Sequence, residues 1–108
     1  MRLVIIESPY AGEIERNISY ARAAVRDSLL RGEAPIASHL LYTQVGILRD
    51  DIPHERQHGI DAGLAWRKVS DATIVYEDLG VTKGMQYGII AVKEAGIPIE
   101  FRRLSQAQ

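Results

Sequence analysis

Four short runs of branched and aliphatic residues, LVII at 3–6, APIASHLL at 34–41, ATIVY at 72–76 and IPIEF at 97–101, are separated by three stretches with apolar residues every three to four positions. A run that is apolar on consecutive residues suits a strand covered on both faces, as in a parallel sheet flanked by helices. In the first intervening stretch, Glu13 to Arg31, residues Ile14, Ile18, Ala21, Val25 and Leu29 mark one helical face, and Gly32 supplies the stop. The second runs from Pro53, which suits the first position of a helix, to about Val69, with Ile60, Leu64 and Val69 facing inward. The third reaches Ala95 with Met85, Ile89 and Val92 on one face, and Gly96 ends it. The run at 34–41 is expected to pass into a loop or helical turn at YTQVGIL. This β-α-β-α-β-α-β order, with no internal repeat or linker, predicts an α/β fold: a small doubly wound, four-stranded parallel sheet with right-handed crossovers and helices on both faces.

Such sheets bind ligands at the carboxyl ends of their strands, so the loops that follow the strands are where chemistry is to be sought. After the first strand comes ESPYAG, in which Glu7 and Ser8 end the strand, Pro9 fixes the turn, Tyr10 offers a flat ring and Gly12 lets a backbone approach closely. After the second comes SHLLYTQ, carrying Ser38, His39, Tyr42 and Gln44. After the third comes EDLGVTKGM, in which Gly80 and Gly84 flank Thr82 and Lys83 as the helix begins. That loop has the composition of an anion cradle, with free amides at a helix N-terminus, a hydroxyl and an ammonium. It equally suits a plain glycine-rich turn capped by Thr82. It is neither a Walker loop nor a GxGxxG. Glu77 and Asp78 open the same loop, as a catalytic pair or as two solvated acids, and His39 at its strand end suits an acid or base. Tyr20 and Trp66 fall in helical stretches, where an aromatic packs at a core edge or dimer interface.

Composition narrows the function classes. The 108 residues are 46% hydrophobic and 25% charged, the balance of an ordinary globular domain. We read residues 1–104 as a single domain and 105–108 as a short polar tail. Thirteen Lys+Arg against fourteen Asp+Glu leave no basic field for nucleic acid or an anionic membrane. Cysteine is absent, which removes thiolate metal sites, disulfides and cysteine nucleophiles. No apolar run approaches a membrane span, and MRLVII leads into a strand rather than a secretory leader, so a cytoplasmic location is expected. A chain of this size has little room for a cleft between two lobes, so a homodimer or higher homo-oligomer is expected to complete the site.

HERQH at 54–58 spells the HExxH of zinc peptidases. Pro53 places it in the first turn of its helix, whereas the zinc motif needs a helix interior and a third ligand from elsewhere. The extended motif fails, because Asp61 stands where glycine is required and Leu64 where the third histidine belongs. A zinc hydrolase through His54 and His58 is therefore the remotest of three functional readings, and the expected site calls for no metal and no cofactor.

The pieces IIESPYAG with Asn17, SDATIVYEDLGVTKGM at 70–85 and AVKEAGIPI at 91–99 together resemble the nucleoside 2-deoxyribosyltransferase-like superfamily over nearly the whole chain. The resemblance implies a compact Rossmann/flavodoxin-like domain, usually oligomeric, whose rim holds a nucleoside or nucleotide. Active members break the bond between base and deoxyribose with a glutamate that attacks the anomeric carbon, then pass the sugar to another base or to water. The resemblance places that glutamate four residues after the glycine of the S/T-x-G motif, and in this chain the position is Gly88. Either another carboxylate has taken over, with Glu7 and Glu77 the candidates by loop position, or the pocket persists without the reaction.

The expected function is thus binding of a nucleoside or nucleotide at the strand rim, with cleavage or transfer at the N-glycosidic bond. In that reading Glu7 or Glu77 is nucleophile or base and His39 assists the leaving base. Ser8, Pro9, Tyr10, Gly12, Asp78, Gly80, Thr82, Lys83, Gly84 and Met85 surround the ligand. The second reading is a non-catalytic module that senses or sequesters a nucleotide signal.

Overall fold

The computed structural model describes residues 1–106, the side chain of Gln106 excepted, so Ala107 and Gln108 of the expected tail lie outside the described residues. The chain runs β1 (Leu3–Glu7), α1 (Ile14–Leu30), β2 (Ala34–Ile36), α2 (Ser38–Leu41), α3 (Pro53–Val69), β3 (Ala72–Tyr76), α4 (Lys83–Glu94) and β4 (Ile99–Arg102), with a 3-10 turn at Leu104–Gln106. The four strands form one parallel sheet in the order β2-β1-β3-β4. From β1 the chain moves outward to β2, and from β3 it moves outward to β4 on the other side. The order therefore reverses between β1 and β3, which opens a crevice at their carboxyl ends.

Strand alternation sorts the side chains between the two faces. Val4 and Ile6 pack with Ala72, Ile74 and Tyr76 against Ala24, Tyr20 and Val25 of α1. On the opposite face Val75 packs with Met85 and Ile89 of α4 and with Ile99. Glu7 follows Ile6 in the pleat, so it shares the face covered by α3 and α4.

Several positions differ from the sequence expectation. In α1 the buried residues are Asn17, Ala21, Ala24 and Ser28, while Ile14 and Leu29 are exposed. Small side chains let α1 lie close on the sheet, and Asn17 Nδ2 donates to the carbonyls of Tyr10 and Ala11 at 2.8 and 3.0 Å, fixing the loop after β1. In α3 the buried residues are Gly63 and Arg67, and Val69 faces solvent. The strand within 34–41 stops at Ile36 and the helical turn begins at Ser38, earlier than YTQVGIL. Pro35 supplies no N–H to a ladder, which an edge strand tolerates, and the Ala37 carbonyl already accepts from Leu40 and Leu41. Ser105, assigned to the tail, is tied to the domain: its N–H and hydroxyl donate to Asp78 Oδ2 at 3.1 and 3.0 Å. Among the described residues no helix is long and apolar enough to cross a membrane.

Candidate functional site

A cavity of about 940 Å³ opens at the carboxyl rim, beside the crevice between β1 and β3. The end of β1 brings Glu7 and Ser8 to it, α2 brings Ser38 and His39, α3 brings Arg56 and Arg67, and α4 brings Lys83 and Gly88. Each of these elements ends or begins at the rim because the strands are parallel and the helices return the chain to the opposite edge.

At the base of the cavity Arg67 Nε donates to Glu7 Oε2 at 2.7 Å, and Arg67 Nη2 donates to the same oxygen. The two side chains are buried, at 4% exposure for Glu7 and 8% for Arg67. Burial pushes the Glu7 carboxyl above the usual carboxylate range, and the Arg67 charge and hydrogen bonds pull it part of the way back. Oε1 of Glu7 has no hydrogen-bond partner among the described residues. Two glycines make the space for this pair. A Cβ at Gly88 would stand 2.0 Å from Glu7 Oε2 and 3.1 Å from Arg67 Nε. One at Gly63 would stand 2.8 Å from Arg67 Nη1 and 2.7 Å from Ser38 Oγ.

Beside the pair, Ser8 Oγ and His39 Nε2 are 2.6 Å apart. His39 Nδ1 is sealed from solvent without a partner among the described residues. Burial first, and the Arg67 charge second, lower the His39 pKa to about 4, so the ring is neutral at pH 7. A neutral imidazole with one sealed nitrogen fixes the Ser8 hydroxyl but offers few protons of its own.

The other predicted positions divide into two groups. Tyr10, Thr82, Lys83, Gly84 and Met85 line the cavity. Thr82 caps α4, its Oγ1 accepting from Met85 N–H at 3.2 Å, which is the plain capping role read from sequence. Pro9, Gly12, Glu77, Asp78 and Gly80 do not line it. Pro9 is buried behind the rim, and Gly12 and Gly80 take φ of +99° and +88° in turns. Glu77 accepts from Arg103 Nε at 3.4 Å. Asp78 takes the Tyr20 hydroxyl and the Leu104 and Ser105 amides, and these bonds hold its carboxyl well below the usual range against the pull of burial. The loop after β3 therefore divides: its first half fastens the 3-10 turn, and its second half faces the cavity.

Tyr42, Asp50, Asp51, Arg56, Gln57 and Arg67 also line the cavity. Of these, Arg67 is the residue that sequence reasoning missed most consequentially, because the apolar period of α3 assigned the inner face to Ile60, Leu64 and Val69. Its signal is Gly63, four residues before it on the same helical face, a small residue that lets a long one lie flat. His54 and His58 are exposed on the first turns of α3, and Glu55 Oε1 accepts from the Arg49 amide at 3.1 Å. Among the described residues no group of three or more His, Cys, Asp or Glu side chains is arranged to hold a metal.

A family model described as a domain of unknown function (DUF7768) matches residues 2–102. No curated protein matches the chain. Among solved structures, a 2-deoxyribosyltransferase from Bacillus psychrosaccharolyticus superposes with a TM-score of 0.65 at 18% identity, over 94% of this chain and 72% of that one. At that identity the likeness is one of fold: a four-stranded parallel α/β architecture of the Rossmann/flavodoxin type.

Proposed function

The chain belongs to the DUF7768 family, and for it we propose a nucleoside- or nucleotide-binding site at the carboxyl rim of the sheet, with Glu7 as the nucleophile of N-glycosidic bond cleavage or transfer. The observation that carries this reading is where the Glu7 carboxylate lies. The family resemblance places a catalytic glutamate at residue 88, where this chain has glycine. Glu7, from the neighbouring strand, fills the space that a side chain at 88 would enter. The structural neighbour's use as a biocatalyst for nucleoside synthesis supports the same substrate class.

In the reaction a Glu7 oxygen attacks the anomeric carbon as the bond from that carbon to the base nitrogen breaks. The base departs with the electron pair and takes a proton from water. Water or a second base then attacks the same carbon, gives up a proton to solvent and releases Glu7 as a carboxylate. A carboxylate suits this step because positive charge develops on the sugar in the transition state. Ser8, fixed by neutral His39, is placed to hydrogen-bond a sugar hydroxyl, and Tyr10 and Tyr42 offer rings for the base or sugar. Lys83 at the start of α4 suits a phosphate. A cytoplasmic homo-oligomer belongs to the same reading, with Tyr87 and Ile90 exposed on α4 as an apolar surface for a second copy.

The second reading, a module that binds its nucleotide without cleaving it, draws on the Glu7–Arg67 ion pair, since a carboxylate held by a guanidinium is a poorer nucleophile. Proton NMR of a panel of nucleosides and monophosphates, before and after incubation with the protein, separates the two. Free-base resonances that Glu7→Gln abolishes establish cleavage through Glu7. Selective broadening with no new compound establishes the binding module, and an unchanged panel overturns both.

A further inference from the structure

We propose that Arg67 is the positioning residue for Glu7: it holds Oε2 with two N–H groups and leaves Oε1 as the oxygen that attacks. This rests on the reading of Glu7 as nucleophile. The geometry is specific to a guanidinium. Nε and Nη2 converge on one carboxylate oxygen, a fork that an ammonium cannot reproduce. Arg67 lies flat in a slot whose walls are Gly63 on α3 and Gly88 on α4, and a methyl group on either would collide with the pair. Two glycines in helix interiors each weaken their helix relative to alanine, and the pair accounts for both.

Arg67 does more than hold Glu7 in place. A lone carboxylate this deep would take up a proton and lose its nucleophilicity, and the adjacent guanidinium favours the ionised form. The charged and titratable groups that face the pair are few. From α3 there is Arg67 itself, from α2 His39, and from α4 Lys83 and Tyr87 on the same cavity, with Tyr10 and Tyr42 also lining it, while β3 sets Val75 beside Glu7. Arg56, Asp50 and Asp51 also line the cavity, and Asp50 stands 3.8 Å from Arg56 while Asp51 is paired with Arg49. Arg67 is thus the one cation bonded to the Glu7 carboxylate among the described residues. A role as the ligand's own anion contact fits less well, because two of its N–H groups already point at Glu7 and it is nearly sealed from solvent.

The test titrates Glu7 by carbon-13 NMR of its side-chain carboxyl in the wild type, Arg67→Lys and Arg67→Met, alongside pH profiles of kcat and KM for a substrate found in the nucleoside panel. In Arg67→Met the Glu7 midpoint is expected to rise by at least about one pH unit, the usual effect of losing an adjacent opposite charge. The acid limb of kcat moves with it and KM stays within about twofold. Arg67→Lys, which keeps the charge without the fork, recovers part of the midpoint and lowers kcat at least about tenfold; it carries the test if Arg67→Met does not fold. An unchanged Glu7 midpoint in both variants overturns the proposal. So does a KM for monophosphates that rises about tenfold with kcat and its acid limb unmoved, because Arg67 would then be a phosphate contact. The carboxyl titration needs no turnover, so a silent nucleoside panel would sink the enzymatic reading while the coupling of Arg67 to Glu7 is still measured.

Discussion

A Cβ built on Gly88 would lie 2.0 Å from Oε2 of Glu7 and 2.9 Å from its Cδ, so a carboxylate from β1 and a side chain from α4 compete for one volume. Alanine is favoured over glycine in a helix interior by about 1 kcal/mol, yet the clash here opposes a buried carboxylate fastened by Arg67. Gly88→Ala is therefore expected to destabilise the protein by ~1–3 kcal/mol, as overpacking does. Gly88→Glu is expected to cost more alone than in combination with Glu7→Ala. A double-mutant cycle by urea denaturation should give a coupling of at least ~1 kcal/mol; additive costs would mean that the two positions do not share the space.

The Glu7–Arg67 pair is buried on both sides, and removing one member leaves the other's charge without compensation. Glu7→Leu or Arg67→Met alone is expected to cost ~3–5 kcal/mol, while the double substitution recovers much of that loss. The double variant should fold and be silent on the nucleoside panel. Thermal or urea unfolding of the three variants checks this, and a double variant whose cost equals the sum of the two single costs would show that the pair is not energetically coupled.

The fold was legible from sequence because four apolar runs and three helical periods carry it without tertiary help. The site was legible by halves. Loop position alone brought Glu7, Ser8, His39 and the Thr82–Met85 segment to one rim, and the structure sets them around one cavity. The same rule also gathered Glu77 and Asp78, which instead bind Arg103, Tyr20 and the turn at Leu104. A strand-end loop has two sides, and the chain's local pattern does not say which side faces the crevice. Arg67 escaped notice for a different reason: apolar periodicity assigns a charged residue to solvent, and a buried charge becomes legible with its partner, which here lies sixty positions away.

His39 gives the protein an acid-sensitive step. Its pKa is about 4 in the fold against an ordinary 6.5, so the unfolded chain takes up a proton first as pH falls. A depressed folded pKa contributes stability that is fully present above 6.5 and is lost as pH falls toward 4. The loss amounts to at most ~3 kcal/mol. Glu7, whose carboxyl is raised, works in the opposite sense over part of that range, so the comparison must be with a variant. His39→Gln should show a flatter urea-stability profile between pH 6.5 and 4; parallel profiles would mean that His39 is not neutral in the fold.

A second acid step belongs to the face under α1. Glu33 receives both terminal nitrogens of Arg102, at 2.8 and 2.7 Å, and the Ser28 hydroxyl at 2.7 Å, which lowers its carboxyl to about 2. The stability it contributes is present above about 4.5 and is lost as pH falls toward 2. The two steps are therefore successive, His39 between pH 6.5 and about 4 and Glu33 between 4.5 and about 2, with a narrow overlap. Arg102→Met removes the largest cause and is expected to shrink the lower step, with Ser28 and Arg2 retaining part of it, and to leave ligand binding at the rim unchanged, because Arg102 does not line the cavity. Circular dichroism during acid titration reads the lower step, and a step of undiminished size in Arg102→Met would assign it to other carboxylates.

The chain's single tryptophan provides a reporter for the rim. Trp66 Nε1 donates to the Tyr42 hydroxyl at 2.8 Å, and Tyr42 lines the cavity while Trp66 remains partly exposed on α3. A ligand that stacks on Tyr42 or takes its hydroxyl must weaken that bond, and indole emission responds to the loss of its N–H partner. Saturating nucleoside or nucleotide is expected to shift the Trp66 emission of the wild type. Tyr42→Phe removes the bond at a stability cost near or below ~1 kcal/mol, since the pair is exposed to water, and should abolish at least about half of the response. A response of the same size in Tyr42→Phe would place the ligand elsewhere on the molecule, away from the side of the cavity that α2 and α3 form.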